Sequence, residues 1–178
     1  MIDVVRKTAD TCFMPLTVGG GIRNVQNIRE MLLAGADKVS LNTAAILNPN
    51  IIDEASEKFG NQCIVVAIDA KQRGKSWSVY THGGRKITQL DAIEWAKEVV
   101  NRGAGEILIQ SVDMDGRQAG FDIDLVGNIV QQVKIPVVAA SGAGRKEHIL
   151  EVVRNAKPSG VAIASMIHFT QTTISDLK

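Results

Sequence analysis

The stretch MPLTVGGGIRNVQNIREML, residues 14–32, aligns without a gap with IPVVAASGAGRKEHILEVV, residues 135–153. The alignment places Gly21 on Gly142 and keeps the order of an aliphatic run, a small-residue loop and a helical pattern. Such self-similarity at a fixed offset indicates an internal repeat. The fold therefore has to contain the same strand, loop and helix twice.

The repeat continues into the next strand. After one inserted residue, SLNTAA matches AIASMI, which places Thr43 on Ser165. Four βα units doubled give the eight units that close a (βα)₈ barrel, whereas a doubly wound sheet has no reason to show this period. The sequence therefore predicts an α/β fold of the TIM-barrel family rather than a Rossmann-like fold.

Short aliphatic runs alternate with helical patterns along the chain, which is typical of βα units and a parallel sheet. Apolar residues at three- and four-residue spacing predict helices near 2–9, 25–33, 51–58, 90–101, 123–132 and 146–154. The alternating segment before His82-Gly83-Gly84 predicts an added hairpin. Six parallel strands, corresponding to barrel strands 3–8, are predicted at Leu16–Val18, Lys38–Leu41, Cys63–Ile68, Glu106–Ile109, Val137–Ala139 and Val161–Ala164.

The chain is thus predicted to be a single, incomplete barrel domain over residues 1–178, because the repeat partners of the middle units would precede Met1. Its 45% hydrophobic content suits one aliphatic core, and the formal charge of +1 argues against nucleic acid as a partner. No apolar run is long enough for a membrane span, so the cytoplasm is expected. Cys12 and Cys63 are isolated and predicted to be buried thiols.

The glycines that end the first strand offer an anion-binding loop. Gly20 and Gly21 have no Cβ to keep an anion from the backbone amides, although glycines here could also serve only a tight turn. Asn42 and Thr43 end the adjacent strand before a helix, where they could equally act as plain N-caps. Together these residues predict a phosphate site.

The repeat predicts a second phosphate site. Gly142, Ala143 and Gly144 match the first loop, and Ala164 with Ser165 match its neighbouring strand end. The last two strands of this fold commonly bind phosphate. A substrate with a phosphate at each end follows from two such sites.

Carboxylates follow two further strands. Asp69 ends an apolar strand and is predicted to act as a general acid or base, with an ion pair to Lys71 as the competing interpretation. Asp113 and Asp115, in SVDMDG, could support a substrate hydroxyl or the second phosphate. No histidine accompanies them, so no metal site is predicted, and His82, His148 and His168 are expected on the surface.

The motifs VGGGIR, GADKVSLNTAA, VVAIDAK, YTHGGRK, EWAKEV, GAGEIL and DxDG…GFD together resemble the cyclase subunit of imidazole glycerol phosphate synthase, the HisF family, across essentially the whole chain. The sister phosphoribosyl-formimino isomerase shares the repeat and the glycine loops but not the combination LNTAA, AIDAK and HGGRK. There are three departures from the family's usual residues: Gln110 stands for Thr, Arg117 stands for Thr, and Ala140-Ser141 stands for Ser-Gly. The barrel's N-terminal β1-α1-β2 region has no counterpart in the sequence.

The resemblance implies a reaction and its partners. Ammonia from a glutaminase subunit would enter a bis-phosphorylated aminoimidazole carboxamide ribonucleotide, giving imidazole glycerol phosphate and an aminoimidazole carboxamide ribotide in histidine biosynthesis. No cofactor is implied. Asp69 would be one of two catalytic aspartates, and the other belongs to the first barrel strand.

The resemblance also assigns the remaining site residues. Gly21, Asn42 and Thr43 would bind one phosphate. Asp37, Lys38 and Glu106, which charge alone would place on a solvated rim, would dock the glutaminase and gate ammonia. The second phosphate would be bound by Asp115, Gly116, Gly142, Ala164 and Ser165.

Two alternative functions stay open. The chain could be a related ammonia-using subunit of surface-sugar amidation, or a phosphate-binding barrel fragment without catalysis. Six strands leave open sheet edges, so self-association through those edges is a further expectation.

Overall fold

The structure is a computed structural model and describes residues 1–169 and 172–177. Helices and strands alternate along most of the chain. In order, they are α1 (Ile2–Ala9), β1 (Thr17–Gly19), α2 (Val25–Leu33), β2 (Lys38–Leu41), α3 (Thr43–Leu47), α4 (Asn50–Phe59), a 3₁₀ turn (Asn61–Cys63), β3 (Ile64–Arg73), β4 (Ser76–Thr81), β5 (Lys86–Asp91), α5 (Ala92–Asn101), β6 (Glu106–Ser111), α6 (Ile123–Gln132), β7 (Val137–Ala140), α7 (Lys146–Asn155), β8 (Gly160–Val161), α8 (Ser165–His168) and α9 (Ile174–Leu177).

The chain divides into two compact units that interleave in sequence. Unit 1 comprises Met1–Ala67 and Glu98–Glu106, and unit 2 comprises Ile68–Lys97 and Ile107–Lys178. Within the described residues, no helix combines the length and apolar character that a bilayer crossing needs. The single domain that the sequence predicts stays a prediction.

Unit 1 is built on a parallel ladder of β1, β2 and the first half of β3. Its core contains Ile28 of α2, Val39 of β2 and Ile52 of α4, all fully buried. Arg102 fastens the second segment of the unit, because its Nη1 lies 2.7 Å from Oδ2 of Asp53. That hydrogen bond is the main cause of a raised pKa for the Arg102 guanidinium.

Unit 2 contains the second half of β3 with β6, β7 and β8 in parallel order. The predicted hairpin is present as β4 and β5, and β4 also pairs antiparallel with β3. Because of that pairing β3 extends to Arg73, whereas the sequence ended the strand at Ile68. The last strand is shorter and earlier than predicted, since the chain leaves the ladder before α8 begins.

The internal repeat is visible in the hydrogen bonds that begin each strand pair. The N–H of Asp37 donates to O of Leu16 at 2.9 Å, and the N–H of Ser159 donates to O of Val137 at 2.8 Å. The side chains follow the same pattern, because Leu16 N–H donates to the Asp37 carboxylate and Val137 N–H to the Ser159 hydroxyl. The repeat is therefore present in the hydrogen-bond geometry as well as in the sequence.

These six parallel strands in α/β order make the chain a partial TIM barrel, as predicted. The predicted bounds of α1, α2, α6 and β2 agree with the structure. The two thiols do not behave as predicted: Cys12 and Cys63 are only half-buried. Cys12 follows α1 and Cys63 ends the 3₁₀ turn before β3, so neither thiol lies inside a strand.

One carboxylate joins the hairpin to a helix in unit 2. Asp122 is the N-cap of α6, where its Oδ1 accepts the N–H of Leu125 at 3.0 Å. Its Oδ2 accepts the indole N–H of Trp77, a buried residue of β4, also at 3.0 Å. Asp122 is the last residue of the GFD motif, whose role the sequence did not reveal.

We expect Asp122→Ala to lower the free energy of unfolding by about 2–4 kcal/mol, because it removes a helix cap and leaves the buried Trp77 N–H without an acceptor. Urea unfolding followed by circular dichroism measures this change. Asp124→Ala, an exposed acidic residue of the same first turn, is the control and should lose less than about 1 kcal/mol. Equal losses in the two variants would contradict the assigned role.

Candidate functional site

The loop after β1 has the backbone of an anion cradle. Gly20 and Gly21 adopt positive φ of 91° and 75°. In the described part of the chain, the N–H groups of Gly21 and Ile22 donate to no protein acceptor. Successive amides left open in this way form a concave site for an anion.

The end of β2 lies beside this loop. Gly19 and Ser40 are partners in the parallel ladder, and a Cβ at Gly19 would stand 2.9 Å from that of Ser40. Asn42 precedes α3 with φ −127° and ψ −91°, and Thr43 is the first residue of the helix. The Oδ1 atom of Asn42 is buried with no hydrogen-bond partner among the described residues, so a ligand donor could satisfy it.

A cavity of about 360 Å³ opens against the first loop. Gly20 and Gly21 form one wall, and side chains of α1 and α2, including Asn27 and Met31, form others. Asp3 and Glu30 also line it, so the cavity as a whole is not suited to an anion. The amides of the loop, rather than the cavity, are therefore the candidate anion-binding feature.

The loop after β7 repeats the first cradle. Ser141 and Gly142, which the repeat aligns with Gly20 and Gly21, have positive φ of 74° and 99°. Among the described residues the N–H groups of Gly142 and Ala143 have no protein acceptor, although both residues are buried. Buried amides are nearly always paired, so an external acceptor is the expected partner.

A second segment packs directly on this loop. The N–H of Gly120 donates to O of Gly142 at 2.8 Å, and a Cβ at Gly142 would meet O of Gly120. A Cβ at Gly144 would likewise meet O of Gln118. Glycine is therefore required at 142 and 144 by close backbone approach.

The same segment carries two other predicted residues. Asp115 is exposed, and its N–H donates to O of Ser111 at 3.0 Å. Gly116 is exposed with φ 72°. Both therefore lie on the loop that packs against Gly142, with their side of the loop open to a ligand.

The last predicted pair repeats the conformation at the end of β2. Ala164 has φ −131° and ψ −67°, close to the values of Asn42, and Ser165 begins α8 as Thr43 begins α3. First-turn amides of a helix have no intrahelical acceptor. Each cradle is thus followed by a short helix that begins at a hydroxyl residue.

Asp69 lies within β3 rather than at its end. It is 7% exposed and stands opposite Tyr80 in the ladder with β4. Lys71, the competing ion-pair partner, instead lies 3.9 Å from Asp113. The Asp113 carboxylate also accepts the N–H of Gln72 at 2.9 Å, so Asp113 braces the extension of β3.

The charged residues at the other ends of the strands lie in unit 1. Lys38 and Glu106 begin β2 and β6, and Nζ of Lys38 lies 2.6 Å from Oε2 of Glu106. The Glu106 side chain is 18% exposed, so the ion pair is partly shielded from water. Asp37 is exposed, and its carboxylate accepts the N–H of Leu16 at 2.7 Å.

One histidine differs from the prediction. His148 is buried, with 7% exposure, and its Nδ1 accepts the N–H of Gly144 at 3.2 Å. The sequence analysis expected it on the surface because the three histidines lie at scattered positions in the sequence. The repeat was not used to place it. His168 is exposed as expected. Among the described residues no group of three or more His, Cys, Asp or Glu side chains could hold a metal.

Comparison with known proteins identifies relatives along the whole chain. The family model described as "Histidine biosynthesis protein" matches residues 1–173. A protein named imidazole glycerol phosphate synthase subunit HisF from Trichormus variabilis is 51% identical over 182 aligned residues, which cover 100% of the chain and 71% of the relative. Proteins of the same name from Nostoc sp. and Caulobacter vibrioides are 52% and 51% identical, with 70% and 69% of each relative covered.

Ser141 holds a conformation that favours glycine, and its Oγ is buried without a partner among the described residues. We expect Ser141→Gly to raise the free energy of unfolding by about 1 kcal/mol, because it relieves the positive φ and removes the unpaired hydroxyl. Ser141→Ala keeps the strained backbone and should gain less. Thermal unfolding checks both, and a glycine variant less stable than wild type would contradict the argument.

Proposed function

The chain belongs to the imidazole glycerol phosphate synthase subunit HisF family of histidine-biosynthesis cyclases, and from that premise we propose how its residues serve that reaction. The substrate is a bis-phosphorylated aminoimidazole carboxamide ribonucleotide. Ammonia is added to it, and ring closure and cleavage give imidazole glycerol phosphate and an aminoimidazole carboxamide ribotide. The reaction uses no cofactor.

The observation that carries this proposal is the doubled cradle. Two successive amides without a protein acceptor occur at residues 21–22 and again at 142–143. Each is preceded by the same positive-φ turn and followed, one strand later, by a short helix. We infer that each cradle takes one phosphate group, which favours a substrate that carries two. The pair at 142–143 lies in buried residues, whereas Gly21 is exposed and water can also reach its amide.

The phosphate-binding residues divide between the cradles. The first phosphate is bound at Gly20, Gly21, Asn42 and Thr43. The residues that bind the second phosphate are Asp115, Gly116, Gly142, Gly144, Ala164 and Ser165. Asp115 acts through a bridging hydroxyl or amide, because its carboxylate would repel the phosphate directly.

Asp69 supplies the acid–base step. A carboxylate that is 7% exposed is desolvated enough for its proton to be exchanged with a bound substrate rather than with bulk water. Such a group can take the proton that ammonia loses on addition and return a proton to the leaving group. Lys71 forms an ion pair with Asp113 at 3.9 Å, beside the extension of β3.

Lys38 and Glu106 control the entry of ammonia. Their 2.6 Å ion pair stands at the starts of two strands, the ends remote from Asn42 within unit 1. The pair is partly shielded from water, and neutral ammonia loses less hydration free energy than ammonium on entering such a place. Asp37 stabilises the neighbouring backbone at Leu16.

A glutaminase subunit docks at the same ends of the strands. The segment that Asp37 holds carries Phe13 and Met14, which are 96% and 71% exposed. Large apolar side chains this exposed are typical of protein interfaces, with charged residues such as Asp37 at the rim. The docking surface therefore consists of Phe13, Met14, Asp37 and Lys38.

The other readings of the sequence make different predictions. A sugar-amidation subunit would turn over a different acceptor, and a non-catalytic fragment would bind the substrate without turnover. Self-association would be visible as a concentration-dependent mass, since among the described residues β1 pairs with β2 alone. The cytoplasm stays the expected compartment.

We expect the chain to form imidazole glycerol phosphate from substrate and ammonium salt, and Asp69→Asn to lower kcat by roughly 100-fold or more, because general acid–base catalysis contributes on that scale. A coupled absorbance assay of product formation measures both. Asp124→Asn, an exposed carboxylate, is the control. Substrate binding without turnover by the wild-type chain would favour the non-catalytic reading.

We expect Phe13→Asp to weaken glutaminase binding by roughly ten-fold or more, because an aromatic side chain that the interface would bury is replaced by a charge. Isothermal titration with the purified glutaminase subunit measures the affinity. Leu47→Asp changes another exposed apolar residue, 74% accessible at the end of α3, and should leave the affinity within about two-fold. Equal weakening by both variants would argue against a docking surface at Phe13.

A further inference from the structure

Each cradle ends in the same side-chain contact. The N–H of Arg23 donates to Oδ1 of Asn27 at 3.3 Å, and the N–H of Gly144 donates to Nδ1 of His148 at 3.2 Å. The internal repeat aligns these donors with each other and these acceptors with each other. In both loops, therefore, the N–H that follows the two unpaired amides donates a hydrogen bond to the side chain four residues later.

The two acceptors differ in chemistry but not in position. Oδ1 of asparagine and Nδ1 of histidine are both attached to the γ atom, so each presents a lone pair at the same distance from the backbone. Because a backbone N–H can only donate, Nδ1 of His148 has to be unprotonated and the ring proton sits on Nε2. His148 is thus a neutral acceptor.

We propose that Asn27 and His148 are equivalent positioning residues, each of which fixes one phosphate loop in its anion-binding form. This inference rests on the proposed function, because it concerns the two phosphate cradles named there. The residues do not touch the phosphate. They act through the loop amides.

The backbone of the loops explains why such a residue is needed. Gly20, Gly21 and Gly142 have positive φ, a region in which glycine is unusually free to move. A hydrogen bond to the next amide closes the turn. It keeps the two preceding unpaired amides pointing toward the same place. Without it, the open amides would have to be ordered at the moment of binding, and affinity would fall.

His148 has a second contact that Asn27 lacks. Gly120, from the segment that covers the second loop, lies beside the imidazole, and a Cβ there would stand 3.7 Å from its Cδ2. Gly120 in turn donates its N–H to O of Gly142. The ring therefore fills the space between the loop and its cover, which explains why this position is buried while Asn27 is only half-buried.

The test is a titration of the full chain with inorganic phosphate. The amide chemical shifts of each loop are measured at every phosphate concentration. We expect His148→Leu to weaken phosphate binding at Gly142 and Ala143 roughly ten-fold, which is the scale of one lost hydrogen bond. The amide shifts of Gly21 and Ile22 should respond to phosphate as in wild type. Asn27→Leu should show the reverse selectivity. Each variant is the control for the other.

His148→Asn separates positioning from simple packing, because it keeps an acceptor on the δ atom while losing the ring. We expect it to bind phosphate within about two-fold of wild type, whereas His148→Leu does not. The ¹⁵N signal of Nδ1 in the wild-type chain should be that of an unprotonated acceptor.

Several results would overturn the inference. It fails if folded His148→Leu binds phosphate at the second loop as wild type does, if it weakens both loops equally, or if His148→Asn is as weak as His148→Leu. If the wild-type chain shows no phosphate-dependent shift at either loop, the two loops do not bind phosphate. That result would contradict the proposed function itself.

Discussion

Backbone amides that the protein leaves without an acceptor are the feature on which the rest of this structure depends. Gly142 and Ala143 are buried, yet their N–H groups bond to nothing in the described chain. Buried amides are nearly always satisfied, so these two need an acceptor from outside the described chain, either water or a ligand. The same open amide pair, positive-φ turn and following short helix occur in the loop after β1, where Gly21 is exposed.

Much of the fold was predictable from the sequence because the repeat and the aliphatic periodicity report directly on local structure. The bounds of β2, α2 and α6 agree with the structure for this reason. The strand β3 was not predictable in the same way, because its last residues are held extended by pairing with β4 and by the Asp113 carboxylate. Tertiary contact, rather than local preference, sets that boundary.

The candidate site was predictable where chemistry and repeat coincide, as at Gly21 and Thr43. His148 was placed wrongly, because a histidine on a helix is usually exposed and its partner is a backbone amide that no motif reveals. The repeat aligned it with Asn27, which could have signalled a shared role. Where the two halves place different residue types in one geometry, as with Asp37 and Ser159, the geometry identifies the function of the position better than the residue does.

The interleaving of the two units bears on how the chain is made. Unit 1 closes with Glu98–Glu106, which follow the first segment of unit 2 in the sequence. A nascent chain on the ribosome therefore cannot complete unit 1 when residue 67 emerges, and Asp53 has to await Arg102. The ladder of β1, β2 and β3 in unit 1 is already encoded by residue 67, so what the unit gains from its late segment is the end of α5 with Arg102.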